Sequence, residues 1–264
     1  MEPQAPRPGV DLLICSLRFG EDSRRAAIRA ASATRKATLR ITGYSGLARD
    51  RTPEQVTHMY RGVAATLVGC DITIIGGGTR MVYRDDPSRY VHGITEVVPI
   101  IGASSPLAKT IGVIPRQSRL LLRERFGLVV ADKPTNPYVT IVHPHLDACL
   151  LLQYSADQGF TNWDSEWQLS LDYMEALRHD AGHRTAHLVY GGGKATEREL
   201  LHVADLIHNP ANPWWVILVA DSGGVAEKYA RDVEFRRKYA HSLIVCTADE
   251  LPGVLTDLGF IGPT

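Results

Sequence analysis

Residues 187–200 read HLVYGGGKATEREL and contain the clearest indication of the fold class in the chain. A short apolar segment leads into three glycines, and a segment with apolar side chains at helical spacing follows. A strand that ends in glycine and continues as a helix is the repeating unit of open α/β sheets. The stretch therefore predicts a strand at 187–190, a turn at 191–193 and a helix at 196–208.

Two more segments of the chain have a strand that runs into glycine. Residues 71–78 read DITIIGGG and predict a strand at 71–75 followed by a glycine turn. Residues 214–224 read WWVILVADSGG, and the nearly continuous apolar run at 214–220 is typical of a strand buried on both faces. A helix is predicted after it at 225–239. Three strand–glycine–helix junctions are thus expected at one edge of a sheet.

The rest of the chain alternates between strand and helix patterns. Strands are predicted at 11–17, 37–43, 110–114, 127–131, 138–142 and 242–246, and helices at 21–35, 52–68, 165–180 and 249–258, while 147–154 fits either state. This alternation predicts a Rossmann-like, doubly wound α/β fold, with a mainly parallel sheet and helices on both faces. We expect one domain at 10–264 after a disordered arm at 1–9, with an insertion at 116–165 beside the sheet.

Composition narrows the class of partner. The chain has 264 residues and 44% apolar residues, which suffices for a buried core. Lys plus Arg equals Asp plus Glu at 29 each, so no long-range field favours nucleic acid or an anionic membrane. The four cysteines are widely spaced and predict free thiols in a reducing cytoplasm. We expect no membrane span and a small-molecule ligand.

The glycine junctions predict a phosphate site. Glycine lets the backbone approach a ligand closely, and the helix that follows directs free amides and its positive dipole end at an anion. The candidate ligand residues at the three junctions and in nearby loops are Gly76, Gly77, Gly78, Thr79, Arg80, Gly191, Gly192, Gly193, Lys194, Thr196, Ser222, Gly223, Gly224, Tyr44, Ser45 and Arg116.

At these motifs the chain resembles the SLOG superfamily, which groups DprA proteins, the Lonely Guy phosphoribohydrolases and the N-terminal domains of TRPM channels. The Lonely Guy signature PGGxGTxxE is similar to residues 191–199, GGGKATERE, with Gly192, Gly193, Thr196 and Glu199 at the matching positions. Residues 75–78 and 111–115 look like two further pieces of that family. Residues 222–227, SGGVAE, are similar to the TRPM pattern.

The resemblance implies binding or sensing of a nucleotide-derived ligand, such as ADP-ribose or a nucleoside phosphate. The alternative is a phosphoribohydrolase that cleaves the N-glycosidic bond of a nucleotide, with Glu199 or Glu197 acting on the ribose. Glycine replaces the family's proline at 191, Ala195 replaces a glycine, and the arginine-bearing RK-x-x-M helix motif is absent. Binding is therefore the first hypothesis, and a homodimer is an expectation from the fold.

Other patterns have plainer interpretations. His143, His145 and Asp147 stand at i, i+2 and i+4 and could share one face of a strand as metal ligands, but local hydrogen bonding is the simpler interpretation. We predict no metal site. Ser222 lacks the G-x-S-x-G context of a nucleophile, and no G-x-G-x-x-G follows the first strand, which argues against a hydrolase triad and a Rossmann oxidoreductase.

Overall fold

The computed structural model describes residues 11–16, 27, 37–44, 52–67, 69–105, 107–114, 121–153, 164–207 and 214–261. The strands are β1 (Asp11–Ser16), β2 (Ala37–Gly43), β3 (Thr73–Gly77), β4 (Thr79–Tyr83), β5 (Lys109–Ile114), β6 (Leu121–Arg123), β7 (Gly127–Asp132), β8 (Tyr138–Val142), β9 (Ala148–Gln153), β10 (Arg184–Tyr190), β11 (Trp214–Val219) and β12 (Leu243–Cys246). The α-helices are α1 (Pro53–Leu67), α2 (Val97–Ser104), α3 (Asp164–Ala181), α4 (Lys194–Leu206), α5 (Gly224–Arg231), α6 (Val233–Lys238) and α7 (Leu251–Asp257).

Eight of the described strands form one sheet in the order β1-β9-β5-β3-β2-β10-β11-β12. Every neighbouring pair in it is parallel. The Rossmann-like α/β class predicted from the sequence is confirmed. A smaller antiparallel sheet, β4-β8-β7-β6, lies beside it. The ambiguous segment at 147–154 contains β9, which belongs to the large sheet and not to an insertion.

The two faces of the large sheet bury separate sets of apolar side chains. Along β2, Leu39 and Ile41 belong to the core that α1, α2 and α7 cover. Along β11, Val216 and Leu218 belong to the core that α3, α4, α5 and α6 cover. Because side chains alternate along a strand, a sheet covered on both faces needs apolar residues at nearly every position, as residues 214–219 show.

Two helix ends illustrate how local sequence sets the boundaries. Thr52 caps α1 with a capping box: its hydroxyl accepts from the amide of Gln55 at 3.3 Å, and the Gln55 side chain accepts from the amide of Thr52 at 2.8 Å. The single helix predicted at 225–239 is wrong, because Asp232 interrupts it in an extended conformation. Its carboxylate accepts from the amide of Phe235 at 3.0 Å and so begins a second helix, α6.

The structure corrects the first glycine junction. Residues 79–83 form β4 and not a helix, and β4 pairs with β8 from a distant part of the chain. Pairing with a remote strand has no local signature in sequence. None of the helices in the described ranges combines the length and the apolar content needed to cross a bilayer.

Candidate functional site

The large sheet changes its direction of winding between β2 and β10. The chain passes from β2 to its neighbour β3 on one side, and from β10 to its neighbour β11 on the other. In open α/β sheets, ligands bind outside the carboxyl ends of the strands at such a switch point. Here those ends are residues 43–44 of β2 and 190–191 of β10, so the 191–193 glycines stand at the expected position.

The strand–glycine–helix geometry predicted for 187–208 is confirmed at this junction. Gly191 and Gly192 have φ of +70° and +100°, conformations that favour glycine, and Gly193 is the N-cap of α4. Within the described residues, no hydrogen bond involves the amides of residues 192–195. Gly193, Lys194 and Ala195 are exposed. The N-terminus of α4 therefore presents free amides, its positive dipole end and the Lys194 ammonium to solvent.

The third junction supports the second through hydrogen bonds from the first turn of α5 to the 191–193 loop. The amides of Val225 and Ala226, at the start of α5, donate to the carbonyls of Gly192 and Gly191, both at 3.1 Å. The Ser222 hydroxyl accepts from the amide of Gly191 at 2.7 Å and donates to a carbonyl of β11. The free amides expected at 222–224 therefore stay a prediction, because the amides that this junction is seen to use are those of Val225 and Ala226.

Two further candidate ligand residues hold strands and helix together. The ring of Tyr44 packs against Gly191 and Gly224, and the side chain is buried. The hydroxyl of Thr196 donates to the carbonyl of Gly43 at 3.1 Å and is also buried. These contacts tie the end of β2 to α4 and α5. Ser45 and Arg116 lie outside the described residues.

The first glycine run is part of the sheets. Gly76 and Gly77 belong to β3, Gly78 donates its amide to the carbonyl of Val113 at 2.9 Å, and Thr79 begins β4. These amides therefore form no phosphate loop.

Arg80, another candidate phosphate ligand, has its guanidinium paired within the chain. Its guanidinium pairs with Glu96 through two hydrogen bonds and stacks over the ring of Tyr90 at 4.1 Å. The same carboxylate accepts from His143 at 3.2 Å, so a largely buried network joins β4 and the end of β8 to the short helical turn before α2.

The residues with metal-ligand spacing have separate local partners. The backbone amide of His145 donates to Nδ1 of His143, so Nε2 of His143 carries the proton that it donates to Glu96. Asp147 accepts from the amide and hydroxyl of Thr110 at 2.7 and 2.8 Å. Among the residues that the structure describes, no three potential ligands gather around one point.

Glu199, the predicted catalytic residue, belongs to a buried charged cluster that the sequence did not predict. Its carboxylate accepts hydrogen bonds from Nε of Arg40 at 2.8 Å, from Nη2 of Arg40 at 3.4 Å and from the Thr42 hydroxyl at 3.0 Å. His187 lies 3.6 Å away on β10, and Glu166 of α3 lies 3.7 Å from Nη2 of Arg40. We call Arg40, Glu199, Glu166 and His187 the Arg40 cluster.

The two carboxyl groups of the Arg40 cluster have opposite pKa shifts. Burial raises the pKa of Glu166 to about 7, because the attraction of Arg40 offsets it only in part and Glu199 adds repulsion. Burial acts on Glu199 too, but Arg40 together with His187 and Thr42 outweighs it and lowers the pKa of that carboxyl. Burial lowers the pKa of His187 to about 4, so its ring is neutral at pH 7. Neighbouring acids with separated pKa values are typical of sites that move protons.

Glu197, the second catalytic candidate, lies on the surface. Its carboxylate pairs with Lys228 and accepts from the Tyr229 hydroxyl at 2.9 Å, and these hydrogen bonds lower its pKa. The structure therefore joins α4 to α5 through Glu197 and separates it from the Arg40 cluster.

Sequence analysis missed Arg40, Glu166 and His187. One signal was available for two of them: Arg40 and His187 are polar residues in strands of a sheet that buries both faces, so each needs a partner there. The sequence contained no such signal for Glu166, because a glutamate in the first turn of a helix usually lies at the surface and complements the helix dipole.

Comparison with known proteins adds little. No model of a known protein family matches this chain, and no curated protein matches it. A similar solved structure is the X-ray structure of TM1055, a structural genomics target, at 14% identity and a TM-score of 0.48. The match covers 84% of this chain and 99% of TM1055.

The raised pKa of Glu166 predicts a specific pH dependence of stability. Between its ordinary pKa of 4.5 and about 7, the folded state holds a proton that the unfolded state has lost. The contribution of this group to the free energy of unfolding therefore falls as pH rises through that interval. At pH 5 and at pH 8 we compare the free energy of unfolding of Glu166→Gln with that of wild type. We expect the difference to shift in favour of the variant by on the order of 2 kcal/mol from pH 5 to pH 8. Urea unfolding at both pH values measures this gain.

The control for this prediction is Glu124→Gln, which changes an exposed carboxyl in the turn between β6 and β7. We expect its stability to follow that of wild type at both pH values. A constant offset between Glu166→Gln and wild type across the range would contradict the prediction.

Proposed function

We propose that this protein binds a nucleotide or nucleotide-derived ligand, with a phosphate group seated on the N-terminus of α4. The observation that carries the proposal lies at the switch point of the sheet. Gly193, Lys194 and Ala195 are exposed there, and their amides have no hydrogen-bond partner among the described residues. Free amides and the helix dipole favour an anion at this position, and Lys194 adds a local positive charge. The resemblance of residues 191–199 to the SLOG signature supports the same conclusion.

The charge distribution supports a local site. The net charge of the chain is zero, so the anion would be held by contacts at α4 and not by a basic surface. Lys194 is exposed beside the free amides, whereas Arg80 is committed to Glu96. Lys194 is therefore the side chain that we expect to contact the phosphate.

Isothermal titration calorimetry with AMP and ADP-ribose tests the proposal. We expect Lys194→Glu to weaken binding by about tenfold to hundredfold, because it replaces an attraction with a repulsion next to the phosphate. The matched control is Lys238→Glu, which makes the same charge change at an exposed lysine beside Asp205, near the other end of α4. Failure of wild type to bind either compound, or equal weakening by both variants, would contradict the proposal.

A second candidate function is hydrolysis of the N-glycosidic bond of a nucleotide. The observation that favours it is the Arg40 cluster, in which two carboxyl groups with separated pKa values lie next to the same arginine. Such a pair suits a reaction in which positive charge develops on the ribose. Chromatography of AMP incubated with the protein tests this candidate. Release of free adenine and ribose 5-phosphate would support hydrolysis. Intact AMP that remains bound would support binding without hydrolysis.

A further inference from the structure

The members of the Arg40 cluster differ in their access to solvent. The side chains of His187, Arg40 and Glu199 are 0%, 4% and 5% exposed, whereas that of Glu166 is 17% exposed. Glu166 also lies beside Gly77, the last residue of β3: a Cβ added at Gly77 would stand 3.2 Å from Oε1 of Glu166. Glu166 is therefore the open end of the cluster and lies at the carboxyl edge of the sheet.

The hydrogen bonds of the cluster leave Glu166 available. Glu199 accepts two hydrogen bonds from Arg40 and one from Thr42, so most of its hydrogen-bonding capacity is satisfied. Glu166 has one longer contact with Arg40, at 3.7 Å. Nη1 of Arg40 and both ring nitrogens of His187 are buried and have no hydrogen-bond partner within the described part of the chain. The cluster thus holds unused hydrogen-bonding capacity next to the partly exposed carboxyl of Glu166.

The charges in the cluster favour one proton on its carboxyl groups. The charged groups that act on Glu166 are Arg40 from β2 and Glu199 from α4, and His187 from β10 faces Glu199. With His187 neutral, one guanidinium balances one carboxylate, and Glu199 already fills that role. A second buried carboxylate would be uncompensated, and such a charge is costly.

Glu166 and the N-terminus of α4 lie along the same edge of the sheet. Gly77 ends β3 and Gly191 follows β10, and these strands stand on the two sides of β2. Two strand spacings correspond to about 10 Å. A ligand whose phosphate sits on α4 could therefore extend its ribose and base across the end of β2 toward Glu166.

We propose that Glu166 is the carboxyl group that faces the bound ligand and exchanges a proton in the site, and that Glu199 is a positioning residue that fixes Arg40. This inference rests on the proposed function of the α4 site. Ligand binding excludes water from Glu166, and the phosphate adds negative charge along the same edge of the sheet. Both effects favour the neutral carboxyl. Glu166 takes the proton from solvent as the ligand binds, and the resulting carboxylic acid can donate a hydrogen bond to a ligand oxygen or nitrogen.

Proton uptake during AMP binding tests the proposal. Titrations at pH 7 in buffers of different ionisation enthalpy give the number of protons bound per AMP. We expect wild type to take up about half a proton more than Glu166→Gln, because a group with its pKa near the working pH is half ionised before binding. Subtracting the Glu166→Gln value removes the contribution of the AMP phosphate. Glutamine mimics the neutral acid, so this variant should fold.

Carboxyl ¹³C NMR of glutamate-labelled wild type provides a second measurement. The resonance that is absent in Glu166→Gln should titrate near neutral pH in the free protein and at higher pH in the presence of AMP. If wild type and Glu166→Gln both bind AMP and take up the same number of protons, this inference is overturned and the proposed function is not. A Glu166 resonance whose titration does not change with AMP would overturn it in the same way. If neither AMP nor ADP-ribose binds wild type, the proposed function fails and this inference fails with it.

Discussion

Replacing Arg40 by methionine is expected to lower the free energy of unfolding by about 3–5 kcal/mol at pH 7. The guanidinium is 4% exposed and is the cation that Glu199 and Glu166 both contact. Methionine fills a similar volume but leaves a buried carboxylate without a partner, and desolvation of that charge is the main cost. For a chain of this size, the loss corresponds to a fall in Tm of roughly 10 °C.

Thermal and urea unfolding measure this effect, and Arg84→Met is the control. Arg84 also contacts a carboxylate, Asp132, but its side chain is 35% exposed, so its loss should cost less than about 1 kcal/mol. Combining Arg40→Met with Glu199→Gln should recover part of the lost stability, because the unpaired charge is then removed as well. Equal effects of Arg40→Met and Arg84→Met would show that the Arg40 cluster is not the buried network described above.

Gly224→Ala should lower the free energy of unfolding by about 3–4 kcal/mol. Gly224 has φ of +58°, which alanine adopts only with strain, and a Cβ there would lie 2.4 Å from the carbonyl oxygen of Gly192 and 2.5 Å from the hydroxyl of Tyr44. The carbonyl cannot move freely, because it accepts from the amide of Val225. The substitution would therefore separate α5 from the 191–193 loop. Urea unfolding measures the loss.

The matched control is Gly62→Ala. Gly62 lies in α1, is exposed, and has no atom within 4 Å of an added Cβ. Alanine there should raise the free energy of unfolding by about 0.5–1 kcal/mol, because it reduces the backbone freedom of the unfolded chain. The two glycine substitutions should thus have opposite signs, and a loss at both positions would contradict the account of the Gly224 junction.

Sequence patterns predicted most of the large sheet because its signals are local. Continuous apolar runs mark strands buried on both faces, and the caps at Thr52 and Gly193 mark where helices begin. The misses at β4 and α6 have physical causes. The strand character of 79–83 depends on pairing with β8, and the break at Asp232 depends on a single side chain that prefers to cap.

The candidate site was predictable only in part. The glycines at 191–193 were found because φ above zero and a following helix leave a sequence signature. Glu199 was found through its place in a motif, but its burial against Arg40 joins residues 159 positions apart. No period or spacing reports such a contact, and the same applies to Glu166.

Sequence patterns were enough to predict the α/β class, most strands of the large sheet and the position of the glycine junction before α4. These follow from hydrophobic periodicity and backbone preference, which act over a few residues. The folded chain alone shows that carbonyls of the 191–193 loop cap α5, and which carboxyl group stays near solvent. Both depend on contacts between remote segments: carbonyls of one loop cap the helix of another, and one buried arginine sets the charge that two glutamates can carry.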